Sequence, residues 1–201
     1  MNKPIRSLAV VFGLLFFALL LGINHLQIVE ANTLNAKSDN RRVIDEEFSR
    51  ERGAILVAGE PNAESVPSET AWELQRRYPE GKLYSDITGF YSYIYGREGI
   101  EQTYNSVLSG NDDRLFVNRL VDLVSNKKPQ GGSVELTVNP EAQRAAAAGL
   151  AELGANRMGA VVAIEPATGA ILAMSSQPSY DPNRLASHDL VAVQDAWKSL
   201  N

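Results

Sequence analysis

Apolar residues run without a break from Leu8 to Ile23, and Ile5, Leu26, Ile28 and Val29 extend the run on both sides. As a helix rising 1.5 Å per residue, Ile5 to Val29 is long enough to cross about 30 Å of hydrocarbon. A helix that is apolar all round has no face to turn toward water, so the pattern predicts one lipid-spanning anchor over residues 5–29, with residues 1–4 as a short tail. Positive residues do not orient it, because Lys3 and Arg6 precede the run and Lys37, Arg41 and Arg42 follow it. A short basic head before an apolar core is the form of a signal-anchor, which predicts residues 1–4 in the cytoplasm and the rest outside. Val29-Glu30-Ala31 also has the form of a small-residue cleavage site, so a cleaved leader is the alternative.

Beyond the anchor the period changes repeatedly. Residues 30–49 are polar and read as a juxtamembrane stalk, helical around Val43 to Phe48. Arg50 to Val57 turns apolar and predicts a strand ending at Gly59, after which Pro61 and Pro67 bracket an irregular stretch and Tyr78-Pro79 with Gly81 marks a turn. Gly89 to Gly96 carries four aromatics and reads as a packed strand or a recognition loop. Ile100, Thr103, Tyr104, Val107 and Leu108 recur at helical spacing and predict a helix stopped by Gly110. A second short helix is expected from Asp112 to Val124, then a loop from Ser125 to Gly132.

From Gly132 onward the signals are sharper. Val134, Leu136 and Val138 alternate with polar residues as a half-buried strand does. Asn139-Pro140-Glu141 has the form of an N-cap, a first-position proline and an acidic first turn. The helix it opens should pack through Ala142, Ala145, Ala146, Gly149, Leu150 and Leu153. Gly159 to Ile164 and Ala170 to Met174, joined by Glu165-Pro166-Ala167-Thr168-Gly169, predict an antiparallel hairpin. Ser175 to Leu185 should leave it as an extended loop, and Ala192 to Leu200 should start a helix. A lone hairpin has unpaired edges and a half-covered face, so the chain is expected to be the front of something longer.

Composition then removes chemistry rather than adding it. The 201 residues contain no Cys, which excludes disulfides, thiolate catalysis and thiolate metal sites. Only His25 and His188 offer imidazole, and no H-E-x-x-H occurs, so no metal and no cofactor is expected. The anchor region holds Lys3 and Arg6 against Glu30, so the remainder is more acidic than the chain's net −5; that excludes nucleic acid as a partner.

Several catalytic words occur without the context that would make them work. Ser187-His188-Asp189 supplies triad residue types, but three consecutive side chains fan apart. Ser125-Asn126-Lys127-Lys128 fits S-x-x-K, yet the serine follows Val124 at an expected helix end and Pro129 breaks any continuation. Ser38-Asp39-Asn40 fits S-D-N but lies in the stalk, and Ala167-Thr168-Gly169 lacks the cation of K-T-G. Gly131-Gly132 is followed by no G-K-S or G-K-T, and Glu98, Glu101, Asp112 and Asp113 read as exposed helix acids. No catalytic, cofactor-binding or metal-binding residue is therefore assigned.

The segment from Gly159 to Asn183 resembles the opening hairpin of penicillin-binding transpeptidase domains, which read A-V-V-x-x-x-P-x-T-G-x-I-L-A-M and leave through P-S-Y-D-P-N. Arg52-Gly53-Ala54-Ile55 resembles the R-G-x-I box of class B enzymes of that family, and Gly96 to Gly110 resembles the G-x-x-G-L-E-x-x-Y-x-x-x-L-x-G box with Ile100 in place of Leu. Leu136-Thr137 and Gln143 resemble the L-T strand-to-helix junction. The likeness runs from about Arg41 to Trp197, and Pro61-Asn62-Ala63-Glu64 departs from the pattern, which usually has a Leu-Ala pair there.

The resemblance implies an α+β chain with a single N-terminal transmembrane helix at 5–29, a stalk at 30–49, a non-catalytic pedestal at 50–158 and the start of a transpeptidase domain at 159–201. It implies a cell-membrane protein whose main domain is extracytoplasmic and whose parent cross-links peptidoglycan stem peptides and is acylated by β-lactams. The family's nucleophilic serine tetrad, S-x-N and K-T-G lie beyond the position matching Asn201, so no catalytic residue is carried over. A multi-pass wall glycan polymerase and division proteins are the implied partners. The alternative is a membrane-tethered interaction module without a catalytic half.

Overall fold

The computed structural model describes residues 3–30, 33–34, 41–70, 72–112, 130–154 and 157–200. All but the first residue of the expected helix at Asp112 to Val124, most of the loop after it, and the Ser38-Asp39-Asn40 and Ser125 to Lys128 motifs lie outside the described residues. The chain divides into two compact units, Met1–Val43 and Ile44–Asn201.

In the first unit, helix α1 (Lys3–Asn24) runs into a π-helical turn, His25–Val29. Pro4–Val29 has a mean hydropathy of 2.4 and is not buried against protein, so it is long and apolar enough to cross a membrane.

The second unit opens in the last turn of α2 (Arg41–Phe48), whose Phe48 is buried. Its sheet contains β1 (Ile55–Val57), β2 (Glu60–Pro67), β3 (Leu74–Arg77) and β6 (Val134–Leu136) in the order β3-β2-β1-β6. β1 and β6 are parallel and the other pairs antiparallel. The β1–β2 turn is two residues long, with Ala58 at φ 53° and Gly59 at φ 81°, the left-handed pair such hairpins need.

The stretch expected to be irregular between Pro61 and Pro67 is instead strand β2. Both prolines are tolerated because each lies where β2 has one neighbour: Pro61 pairs with Leu56 of β1 alone, and Pro67 with Leu74 of β3 alone. A missing N–H can then face the open side. The expected strand at Arg50 to Val57 is shorter, because Arg52 and Gly53 are spent on other contacts. Gly53 N–H donates to Leu108 O at 2.8 Å, and Gly131 N–H donates to Glu51 O at 2.9 Å. A Cβ on Gly131 would lie 1.8 Å from Leu108 O, so only glycine allows these backbones to meet.

Helix α3 (Gly81–Thr88), not foreseen, follows Tyr78-Pro79, and the aromatic stretch after it forms a tight hairpin of β4 (Tyr91–Ser92) and β5 (Gly96–Arg97). The expected helix at Glu98 to Gly110 is broken at Tyr104 into α4 (Gly99–Thr103) and α5 (Asn105–Leu108). Its inner face is also rotated: Glu101 and Leu108 are fully buried, whereas Thr103 and Tyr104 face water. Helix α6 (Pro140–Ala151) starts as expected, with Asn139 Oδ1 accepting from the Glu141 and Ala142 N–H groups at 2.9 Å. It packs through Gln143 and Leu150, while Ala145 and Gly149 are exposed.

The predicted hairpin is present as β7 (Gly159–Ile164) and β8 (Ile171–Gln177), so β8 takes in three residues expected in the exit loop. A 3-10 turn at Pro182–Arg184 and helix α7 (Leu190–Lys198) follow. One face of the hairpin stays open, with Val162 and Ile164 each more than half exposed. The core crosses from sheet to hairpin. Ile55, Ala63, Tyr78 and Leu108 close on Ala186, while Val57, Tyr84, Ile87 and Val138 close on Met174.

Candidate functional site, a clamp between the sheet domain and the hairpin

Strand β8 needs partners along the edge away from β7, and side chains supply them. Gln143 on α6 acts as a substitute strand residue: its Oε1 accepts from Met174 N–H at 2.8 Å, and its Nε2 donates to Met174 O at 2.8 Å and to Leu83 O at 2.7 Å. Asp86 on α3 accepts from Ser176 N–H and from Ser176 Oγ–H, both at 2.7 Å. Asn139 N–H donates to Leu172 O and Thr137 Oγ–H to Ile171 O. The edge is thus satisfied by side chains from two helices and by the strand-to-helix junction at Thr137 and Asn139.

The P-S-Y-D-P-N segment wraps around the start of α3. Ser179 Oγ–H donates to Lys82 O at 2.9 Å and Tyr180 O–H to Ser85 O at 3.4 Å. Asn183 grips the Tyr78 backbone from both sides, accepting its N–H and donating to its carbonyl at 2.9 Å each. Gly81 makes room for this, since a Cβ there would stand 2.7 Å from Asp181 Oδ1. Burial, with Glu98 and Asp86 nearby, pushes the Tyr180 phenol up.

Tyr78 joins this clamp to a buried charge cluster. Its O–H donates to Glu101 Oε1 at 3.2 Å, which also accepts from Arg76 Nε at 2.7 Å, while Glu101 Oε2 accepts from Arg52 Nε at 2.6 Å. Arg52 continues to Asn105 Oδ1 and Glu101 O at 2.8 Å each, and its guanidinium lies 4.3 Å over the Tyr91 ring. Burial alone would raise the Glu101 carboxyl, but Arg76 and Arg52 outweigh it and hold it below the usual carboxylate range. Glu101 is therefore not the exposed helix acid expected from its spacing. Burial and Glu101 together push the Tyr78 phenol well up.

The triad letters do not converge. Ser187 Oγ accepts from Asp189 N–H, Asp189 Oδ1 caps α7, and His188 turns toward Ser68 and Thr70. Thr168 closes the hairpin turn, hydrogen-bonded to Glu165 and Ala170. Among the described residues no cluster of three or more His, Cys, Asp and Glu forms a metal site. A groove of about 770 Å³ lies between Phe90, Tyr180, Leu185 and Trp197. The arrangement holds two parts of the chain together: Glu101 is tied up in ion pairs, Asp181 and Asp189 in caps, and Asp86 in its hydrogen bonds to Ser176. Sequence reasoning singled out Gln143 and the P-S-Y-D-P-N letters only by resemblance, took Gly81 only as a turn marker and missed Arg76 and Asp86, whose partners lie 24 or more residues away.

Comparison with known proteins adds to this geometry. A family profile described as the penicillin binding protein A dimerisation domain matches residues 52–134, and one described as the penicillin binding protein transpeptidase domain matches residues 159–199. Peptidoglycan D,D-transpeptidase PbpA of Mycolicibacterium smegmatis is 43% identical across the whole chain, which covers 41% of that protein. PbpA of Mycobacterium tuberculosis is 40% identical, with 41% of it covered. An acyl-enzyme structure of penicillin-binding protein A from M. tuberculosis matches 78% of this chain and 35% of its own, at 42% identity and a TM-score of 0.74. The chain thus spans about two-fifths of the length of the relatives it matches.

Proposed function

Because the chain belongs to the penicillin-binding proteins and matches the N-terminal, non-catalytic part of the PbpA type, we propose that it is the anchor, pedestal and first hairpin of a class B peptidoglycan D,D-transpeptidase. The observation that carries this is the 43% identity over the chain's full length to such a transpeptidase. In this reading residues 5–29 anchor the protein as a single-pass membrane protein, 30–49 form the stalk, 50–158 the extracytoplasmic pedestal and 159–201 the opening of the transpeptidase domain. A serine outside these residues attacks the D-Ala-D-Ala peptide bond of a stem peptide, releases the terminal D-Ala and passes the acyl group to an amine on a neighbouring strand. β-Lactams acylate the same serine. The open face at Val162 and Ile164 is where further transpeptidase strands pack, and the clamp fixes that domain to the pedestal. A multi-pass wall glycan polymerase and division proteins dock on the pedestal.

A second reading, a tethered interaction module, draws support from the match of residues 52–134 to a domain described by dimerisation. Fluorescent penicillin separates the two. The first reading expects a labelled product longer than 201 residues from the native locus and no label on the 201-residue chain. The second expects no labelled product from that locus.

A further inference from the structure

His188 is absorbed by neither the clamp nor the charge cluster. It lies on the loop entering α7, and its Nδ1 is hydrogen-bonded to Thr70 Oγ1 and lies 3.3 Å from Ser68 Oγ, both on the turn between β2 and β3. The ring meets Trp72 edge-on at 5.0 Å and Phe48 of α2 at 6.4 Å. Trp72 in turn packs on Phe48 and on Tyr93, and Asp45 of α2 accepts from both Trp72 Nε1–H and Tyr93 O–H. Three separate stretches, α2, the β2–β3 turn and the loop before α7, therefore meet around one imidazole.

The second ring nitrogen is the unusual part: His188 Nε2 is shielded from solvent and has no hydrogen-bond partner. We propose that His188 is an acid-sensitive latch, tying the β2–β3 turn and α2 to the loop entering α7 when its ring is neutral and releasing them when the ring is protonated.

A neutral ring with its proton on Nδ1 is satisfied by the hydroxyls and keeps Nε2 as a shielded lone pair without a partner. The imidazolium carries a charge and an N–H at both positions, and among the described residues nothing accepts the second one. The acids on the surrounding elements are placed elsewhere. Asp45 is bonded to Trp72 and Tyr93, Asp189 caps α7, and Glu69 and Glu73 lie exposed on the turn. Burial pushes the His188 imidazole below its ordinary value. The fold therefore binds this proton less well than the unfolded chain does. The latch is intact above the ordinary histidine range and is lost as pH falls through it to the lowered value.

The chain has two His and two Trp, so the test can be read directly. In the full chain in detergent carrying His25→Gln, the NMR titration of the remaining imidazole reports His188. In a Trp197→Phe background, emission reports Trp72. The expected result is a His188 midpoint below the ordinary histidine value, with a Trp72 emission change and faster amide exchange at residues 68–70 at the same midpoint. A His188→Gln chain should lose that acid step. A midpoint at or above the ordinary value, a titration that leaves Trp72 unmoved, or an unchanged acid step in H188Q would each overturn the proposal. If H188Q does not fold, the titration of the His188-bearing chain decides alone.

Discussion

Replacing Glu101 by Gln keeps the shape of the side chain and removes the charge on which Arg52 and Arg76 converge. The two arginines differ in what they retain. Arg52 keeps Asn105, the Glu101 carbonyl and the Tyr91 ring, whereas Arg76 keeps only a 3.3 Å contact to Arg52 O, with its Nη2 already buried without a partner. Removing one member of a buried ion pair costs about 3–5 kcal/mol, because the other charge is left uncompensated. Here two guanidiniums are affected, so Glu101→Gln should fall at the upper end of that range, a large share of the roughly 5–15 kcal/mol that stabilises an ordinary domain. Arg76→Met should cost less, since Glu101 keeps Arg52 and Tyr78. The double variant should cost clearly less than the sum of the two. Urea unfolding of the full chain in detergent, followed by tryptophan emission, measures all three. The pH dependence follows the same logic. A carboxyl held low in the fold contributes stability above the ordinary carboxylate range and loses it as pH falls through the lowered value, so E101Q should flatten the acid limb. A loss within about 1 kcal/mol, as for an exposed pair, would refute the reasoning.

Other substitutions test the remaining contacts. Gly131→Ala forces a Cβ onto Leu108 O and should destabilise by about 3 kcal/mol or more in the same assay. Gln143→Leu removes the side-chain partners of Met174 N–H and Met174 O and one donor to Leu83 O, and should cost about 3 kcal/mol, with amide exchange rising in β8 before it rises in β1. Ala58→Asn, at an exposed left-handed position, should stabilise by about 1 kcal/mol and raise the thermal midpoint.

Local grammar was the part of this fold that could be read directly. Asn139-Pro140-Glu141 announced α6, and the Pro-Ala-Thr-Gly turn announced β7 and β8, because each signal acts within a few residues. Signals that depend on distant partners misled. Pro61 and Pro67 look like strand breakers until the staggered pairing of β2 leaves each with one neighbour. Glu101 has the spacing of a solvent-facing acid and is buried only because Arg52 and Arg76 arrive from other elements. Helix α3 was hidden because it is short, begins at a glycine and draws its fixing contacts from residues near 180. The clamp itself was visible only as unexplained letters. Ser179, Tyr180 and Asn183 make sense once α3 is in place beneath them.

The central claim, that these residues are the non-catalytic front of a peptidoglycan transpeptidase, is tested most directly by sequencing the native transcript through codon 201 and onward. The account predicts an open frame carrying S-x-x-K, then S-x-N and K-T-G, downstream of the hairpin. A stop codon directly after Asn201 would contradict it and leave only what the pedestal binds.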